Sequence, residues 1–311
     1  MSQSNSIRET YGLALVSLGS RNKDIVVLEA DLGKSTRSAL FKEKFPDRYF
    51  DVGIAEQNMA SVAAGFALSG KIPFINSFAV FASGRAFDQI RGAICIPNLR
   101  VRIGGSSCGL SDFGDGKTHQ SLEDMAIMRA LPNMAVLCPV DAVEMGKMMD
   151  CLESWPGPAY IRINRNDLPN LYPAGEPYHI GKATRFRDGK DVAIFACGTM
   201  VSRALDAAES LERDGVGARV MNVSSIKPLD REAVIDFAEG AKAIVTAEEH
   251  TVLGGLGSAI AEALRSERGA PIDFIGIQDQ FGRSARNYEE LLEAYGLTAA
   301  AISAAARRLL G

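Results

Sequence analysis

Along the first half of the chain, two rhythms of apolar residues alternate. Short β-rich segments fall at Asp24–Ala30, Tyr49–Val52, Pro73–Phe78, Arg100–Gly105, Met134–Cys138 and Ala159–Ile163. Between them lie amphipathic or buried helical patterns near Arg8–Leu18, Glu56–Leu68, Arg85–Ile94, Leu122–Ala130 and Ala142–Glu153. Strands that alternate with helices in this way predict a mostly parallel sheet with helices on both faces. A stretch rich in Pro, Gly and polar residues, Leu168–Pro177, then reads as a connection over the surface. The alternation resumes with strands at Asp191–Cys197, Ala218–Val223, Ala243–Ala247 and Pro271–Gly276. Helices near Ser202–Arg213, Glu232–Glu239, Ser258–Ser266, Tyr288–Tyr295 and Ala299–Leu310 separate or follow these strands. The expected fold class is therefore α/β in two domains, residues 1–175 and 190–311, each a mostly parallel sheet flanked by helices.

Composition narrows the class. With 311 residues, 47 % of them apolar and 23 % charged, the chain is long enough for about two ordinary globular domains. A net charge of −4 and the absence of a basic stripe argue against a nucleic-acid or membrane-surface role. Apolar runs are broken well short of a membrane span. The polar start, Met1–Ser6, leads straight into a helical pattern, so no signal peptide is expected and a cytoplasmic location is. Cys95, Cys108, Cys138, Cys151 and Cys197 are odd in number and contain no Cys-x-x-Cys pair. They read as reduced, mostly buried thiols, and with three histidines a dedicated zinc site is not expected.

The richest segment is Asp51-Val52-Gly53-Ile54-Ala55-Glu56-Gln57-Asn58-Met59, a strand end that turns into a helix and leaves Glu56 near its first turn. An acid there suits the unpaired N–H groups and the dipole of a helix start. It equally suits a desolvated catalytic acid, because Ala55, Ala60 and Ala64 leave room for a ligand beside it. Two glycine-rich signals invite nucleotide or metal readings. Gly254-Gly255-Leu256-Gly257 precedes a helix, but Ile260 stands where a dinucleotide fingerprint needs a third small residue, so a tight strand–helix turn is expected. Gly114-Asp115-Gly116 has its first following Asn at Asn133, too near for a metal–diphosphate motif, and no metal site is expected on this chain. The loop Ser111–Gln120 nevertheless leaves the carboxyl end of a sheet strand, where open α/β sheets bind ligands. His119 in it is either a turn residue ahead of the next helix or a proton carrier near neutral pH, and Asp115 is an acceptor for a hydroxyl.

Together, Asp51–Met59, the Asp-Gly-x-Thr-His-Gln loop at 115–120, Leu131-Pro132-Asn133-Met134, Glu248-Glu249-His250 and Gly254–Gly257 resemble the second half of transketolase and of 1-deoxyxylulose-5-phosphate synthase. The resemblance runs in order over essentially the whole chain. What it lacks is the family's first half, which grips a diphosphate and Mg2+. The chain thus looks like the pyrimidine-binding plus C-terminal subunit of a split transketolase. The resemblance implies thiamine diphosphate as cofactor, with Mg2+ held by a separate N-terminal subunit and two heterodimers forming the working assembly. The helix Ala55–Leu68 is the candidate centre of that dimer.

By position, the resemblance makes Glu56 the glutamic acid that hydrogen-bonds the aminopyrimidine ring and activates the cofactor, which then attacks a ketose carbonyl. Phe81 is the ring-stacking candidate; Phe78, Asp31 and Leu32 join the cofactor side. His119 is a catalytic and donor-facing residue, and Asp115 faces the donor hydroxyls. Arg165 matches the arginine for the sugar's terminal phosphate, a task for a guanidinium fork, whereas Arg162 reads as structural. Arg8 and Ser35 fall at further phosphate ligands. One departure stands out. A phosphate-binding histidine of transketolase is replaced by the run Ser106-Ser107-Cys108, which puts Ser107 in the substrate site and leaves the usual sugar phosphate open to question. The implied activity is transfer of a two-carbon ketol unit from a ketose to an aldose. Deoxyxylulose-phosphate-synthase chemistry, a 2-oxoacid dehydrogenase β-subunit and a non-catalytic regulatory subunit are the rival readings.

Overall fold

A computed structural model describes residues 4–267 and 269–311. Met1–Gln3, the first part of the polar start read above, lie outside the described residues. The strands are β1 (Ser4–Ser6), β2 (Ile25–Glu29), β3 (Tyr49–Asp51), β4 (Ile72–Phe78), β5 (Arg102–Ser106), β6 (Ala135–Leu137) and β7 (Ala159–Ile163), then β8 (Asp167–Pro169) and β9 (Thr184–Arg187). They continue with β10 (Val192–Ala196), β11 (Ala218–Asn222), β12 (Ser225–Lys227), β13 (Ala243–Thr251) and β14 (Ile272–Ile277).

Seven strands form the first sheet in the order β12-β6-β7-β5-β4-β2-β3, all parallel except β12. Every residue of β2, β4, β5, β6 and β7 is buried, as expected of strands covered on both faces. On one face Ile7, Tyr11, Leu15 and Leu18 of the helix Ile7–Arg21 pack with Met145, Met148, Met149 and Leu152 of the helix Ala142–Ser154. On the other, Met59, Ala60 and Ala63 of the helix Glu56–Leu68 pack with Ile90 and Ile94 over Val26, Leu28, Ile75 and Ile103. Ser6 and Asp141 cap the first pair of helices, accepting from Glu9 N and Glu144 N. The helix Glu56–Leu68 follows Ala55 and has no side-chain cap. Its outer face, Gln57, Asn58, Ser61, Val62, Gly65 and Leu68, is exposed and mixed polar and apolar.

The second sheet runs β14-β13-β10-β11-β9, parallel but for β9. The two sheets do not divide cleanly along the chain. Strand β12 follows β11 in sequence yet pairs with β6, closing one edge of the first sheet.

Several elements differ from the sequence expectation for identifiable reasons. The helix expected at Arg85–Ile94 begins earlier and widens into π turns at Phe81–Arg85 and Ile90–Cys95, each containing a glycine (Gly84, Gly92). Such local widening is common at functional sites. The helix expected from Leu122 begins at Asp124, whose carboxylate is buried against Arg162 instead of facing its own helix end. Strand β13 continues past Ala247 through Glu248, Glu249 and His250, all buried. Polar β1 and β8 pair antiparallel with each other. Gly254 has a φ of +81°, and the Glu248 carboxylate accepts from Leu256 N (2.7 Å) and Gly257 N (2.8 Å). The donors that would greet a dinucleotide phosphate are thus already satisfied, and this segment is the tight turn the sequence predicted.

Candidate active site

The carboxyl ends of β2, β3, β4, β5 and β7 lie side by side, and from each leaves a segment that the sequence singled out. Three of these segments converge around Glu56. This side chain is at the first residue of its helix and 1 % exposed. Its Oε1 accepts from Ser77 Oγ at 3.2 Å, and its Oε2 pairs with Arg85 Nη1 at 3.0 Å. The Arg85 guanidinium also lies over the Phe81 ring, 4.3 Å from its centroid. The Phe81 and Phe78 rings are stacked at 6.3 Å, and His119 meets Phe81 edge-on at 5.3 Å and Phe78 at 6.1 Å. Glu56, Phe78, Phe81 and His119, scattered over more than sixty positions in sequence, therefore gather in one cluster with Arg85. The His119 ring nitrogen Nδ1 is 2.9 Å from Thr118 Oγ1.

A second group collects cations. Arg165 Nη1 pairs with Asp112 at 2.7 Å. Arg8 Nη1 donates to the Ser35 carbonyl at 2.8 Å, while its buried Nε has no partner. Burial and then the nearby Arg165 and Arg37 charges lower the pKa of Arg8, with Asp167 and Asp112 opposing, so like charges sit close together and are balanced only in part. Burial also raises the Asp112 pKa, against the opposing pull of Arg165. An anion placed here would relieve that repulsion and take up donors now idle.

Other sequence candidates fall around these two groups. Ser107 is wholly buried with a φ of +54°, and the hydroxyls of Ser106 and Ser107 have no partner. Asp115 is exposed on the loop. Asp31 and Leu32 follow the carboxyl end of β2. They line a cavity of about 500 Å3 with Ser35, Lys34, Lys42 and Asp51. Asp51 Oδ1 links that loop to the turn before Glu56, accepting from Asp31 N and Gly53 N, each at 3.1 Å. Arg162 is structural as expected: its Nε bonds both Asp124 oxygens, at 2.9 and 3.2 Å.

Arg85 was not singled out in the sequence. It sits between Gly84 and Ala86 with no periodic pattern, and its acid partner lies far away in the chain. The second sheet's contribution was also missed. The Glu249 carboxylate reaches across to Leu110 N, and Gln120 Nε2 donates to the Arg283 carbonyl at 3.0 Å. Nearby, His250 is buried and neutral, its pKa lowered to about 4 by desolvation; Nδ1 donates to Thr251 O and Nε2 accepts from Ala126 N. Among the described residues there is no cluster of three metal-ligating side chains, and no helix is long and apolar enough to cross a membrane.

This arrangement, a cluster of charged and aromatic side chains at the carboxyl edge of a mostly parallel sheet with a second α/β unit packed against its loops, defines an α/β protein of two sheets. Residues 3–170 match the family described as "Transketolase, pyrimidine binding domain", and residues 181–302 match "Transketolase, C-terminal domain". The chain belongs to the transketolase family. A putative transketolase C-terminal section of Methanocaldococcus jannaschii is 41 % identical over 300 residues, covering 96 % of this chain and 94 % of the relative. The 6-deoxy-6-sulfo-D-fructose transketolase subunit of a Clostridium sp. (strain MSTE9) is 41 % identical over 303 residues, covering 97 % and 94 %. A solved structure described as "Split gene transketolase, inactive beta4 tetramer" superposes with a TM-score of 0.90 at 46 % identity and 99 % coverage of both chains.

Proposed function

We propose that this chain is one of two different subunits of a split transketolase and that it completes its active site only with the other. The family uses thiamine diphosphate and a divalent metal, and the residues present fit part of that cofactor. Glu56 offers a buried carboxylate beside the stacked Phe78 and Phe81 rings, which suits a flat aminopyrimidine. Among the described residues no group of three His, Cys, Asp or Glu side chains gathers for a metal, and we assign the metal and diphosphate to the other subunit on the likeness to relatives named as transketolase subunits. When bound, thiamine diphosphate supplies the carbon nucleophile and electron sink of ketol transfer. Glu56 would hold the ring and carry a proton at its carboxylate, exchanging its present bonds to Ser77 and Arg85 for one to the cofactor. His119, edge-on to Phe81, would move a proton at a donor or acceptor hydroxyl, with Asp115 accepting from a second hydroxyl. The rings of Phe78 and Phe81 would exclude water from the reacting carbon.

At the far end, Arg165, Arg8 and Ser35 would bind the substrate's anionic tail. The buried Arg8 Nε, which has no partner and lies in the field of Arg165, is the observation that carries this reading. With Ser107 in place of a histidine, the tail need not be a phosphate. The similarity to a sulfosugar transketolase subunit supports the same openness about which anion is bound.

The test is reconstitution. The purified chain should bind thiamine diphosphate weakly and turn over no ketose by itself. Mixing with the diphosphate-binding subunit and Mg2+ should restore ketol transfer and stoichiometric cofactor binding. Activity in a rigorously pure sample of this chain would overturn the two-subunit reading. A reconstituted enzyme that handles neutral and anionic ketoses alike would overturn the tail assignment.

A further inference from the structure

Two segments of the first sheet carry the groups proposed to face the substrate: the loop Leu110–Gln120, with Asp115 and His119, and the strand end Asn164–Asn166, with Arg165. One carboxylate of the second sheet touches both. Glu249, 3 % exposed on β13, accepts from Leu110 N through Oε1 at 2.6 Å. Its Oε2 accepts from the Tyr288 hydroxyl at 2.6 Å and from Asn164 Nδ2 at 3.3 Å. Asn164 in turn donates to the Tyr288 hydroxyl at 2.9 Å and accepts from Asn166 N at 2.8 Å, while Asn166 Nδ2 donates to the Ser111 carbonyl at 3.1 Å. The Asp112–Arg165 pair closes the circuit. The contacts thus form a ring that runs from Glu249 through the loop to Arg165 and back through Asn164.

We propose that Glu249 is a positioning residue. It sets the spacing and pose of the sugar-facing loop relative to the anion-facing arginine, and so matches the site to the length of its substrate. What those segments contact rests on the transketolase reading above; that Glu249 holds them does not.

Three observations favour positioning over plain domain packing. A carboxylate is a costly acceptor to bury, and an apolar side chain would fill a domain junction more cheaply. What the carboxylate adds is two oxygens that serve two separate segments at once. The backbone is shaped around it: Gly109, at a φ of +60°, lies so close that a Cβ there would collide with the carboxylate. Finally, the second unit's other ties to the loop involve its main chain or Ser284. Ala285 N donates to the Phe113 carbonyl at 2.9 Å, Gln120 Nε2 to the Arg283 carbonyl, and Gly116 abuts Ser284. These ties fix the loop's middle and end, and among the described residues Glu249 alone bonds both its start and the Arg165 segment.

The test uses two readouts. In the isolated chain, Glu249→Ala should speed amide exchange in Leu110–Gln120 by about tenfold or more while the β10 and β13 amides stay protected. In the reconstituted complex the same variant should raise KM for an anionic ketose about tenfold, with kcat falling less than about threefold, since a buried acceptor is lost but no reacting group is. Glu249→Gln, which keeps an oxygen for Leu110 N, should bring both readouts back to within about threefold of the parent protein. Unchanged loop exchange in Glu249→Ala would overturn the proposal. So would loss of protection across the whole second sheet in the Ala and Gln variants alike. If Glu249→Ala does not fold, Tyr288→Phe removes only the hydroxyl donor, and faster exchange confined to the same loop is the expected result; unchanged exchange there overturns the idea. A reconstituted parent complex that turns over no ketose would remove the functional reading, while the exchange data would still decide the positioning.

Discussion

Glu56 and Glu248 are both buried glutamates, one at the first residue of a helix and the other on strand β13 against the first turn of a helix, and they are built for opposite ends. The Glu248 oxygens accept from two main-chain N–H groups of a neighbouring helix's first turn. Those donors cannot swing away without unwinding the helix, so the carboxylate works as a cap. The Glu56 oxygens meet only side chains, Ser77 and an Arg85 that is 43 % exposed. Side chains turn on their own torsions, so these bonds can be traded for bonds to a ligand without disturbing the fold. Burial does not separate the two acids. What separates them is whether the partner is main chain or side chain, and whether it borders a cleft.

The sharpest break of this comparison lies in activity. Glu56→Gln keeps shape but cannot cycle a proton, so C2 proton exchange of the bound cofactor in the reconstituted enzyme should fall by roughly 10² or more. Stability should change by only about 1 kcal/mol, because the lost ion pair involves a half-exposed arginine. Exchange at the parent rate would show that Glu56 is only another structural acid. Next in size is Glu248→Ala, which leaves two buried helix donors without an acceptor and should lower unfolding free energy by about 2–4 kcal/mol in urea titrations. A loss below about 0.5 kcal/mol would dissolve the contrast.

The smallest effect is in pH. Burial raises the Glu248 carboxyl from its ordinary 4.5 to about 7, with its two backbone bonds opposing. Between those values the folded chain binds the proton more tightly than the unfolded chain, so this group's share of stability falls as pH rises from about 5 to 7. Glu248→Gln should flatten that part of the profile relative to the parent in melting curves across the range, and parallel profiles would count against the shift.

Much of this could be read from the residues because long elements announce themselves. Ala159–Ile163, Glu56–Leu68 and Ala299–Leu310 fall where the apolar spacing put them. Short strands do not. Ser4–Ser6 has no apolar face, and its pairing with Asp167–Pro169 exists only once the chain has folded back on itself. The members of the cluster Glu56, Phe78, Phe81 and His119 were named through motifs that follow the ends of different strands. Arg85 and Glu249 had no such signal as site residues. Arg85 acts through a partner twenty-nine positions away, and Glu249 sits in a run of charges that looked like the end of a strand and proved to be its buried continuation.

Strand β12 gives the order of synthesis a structural meaning. The ribosome delivers β2 through β7 as one continuous stretch, yet β6 lacks its outer neighbour until Ser225–Lys227 has emerged. Through that interval a fully buried strand of the finished protein, Ala135–Leu137, stands as an open edge able to pair with any passing extended chain. The second unit is therefore also the lid that ends the nascent chain's exposure. Truncations made between the two sheets should yield aggregates and not two independent domains.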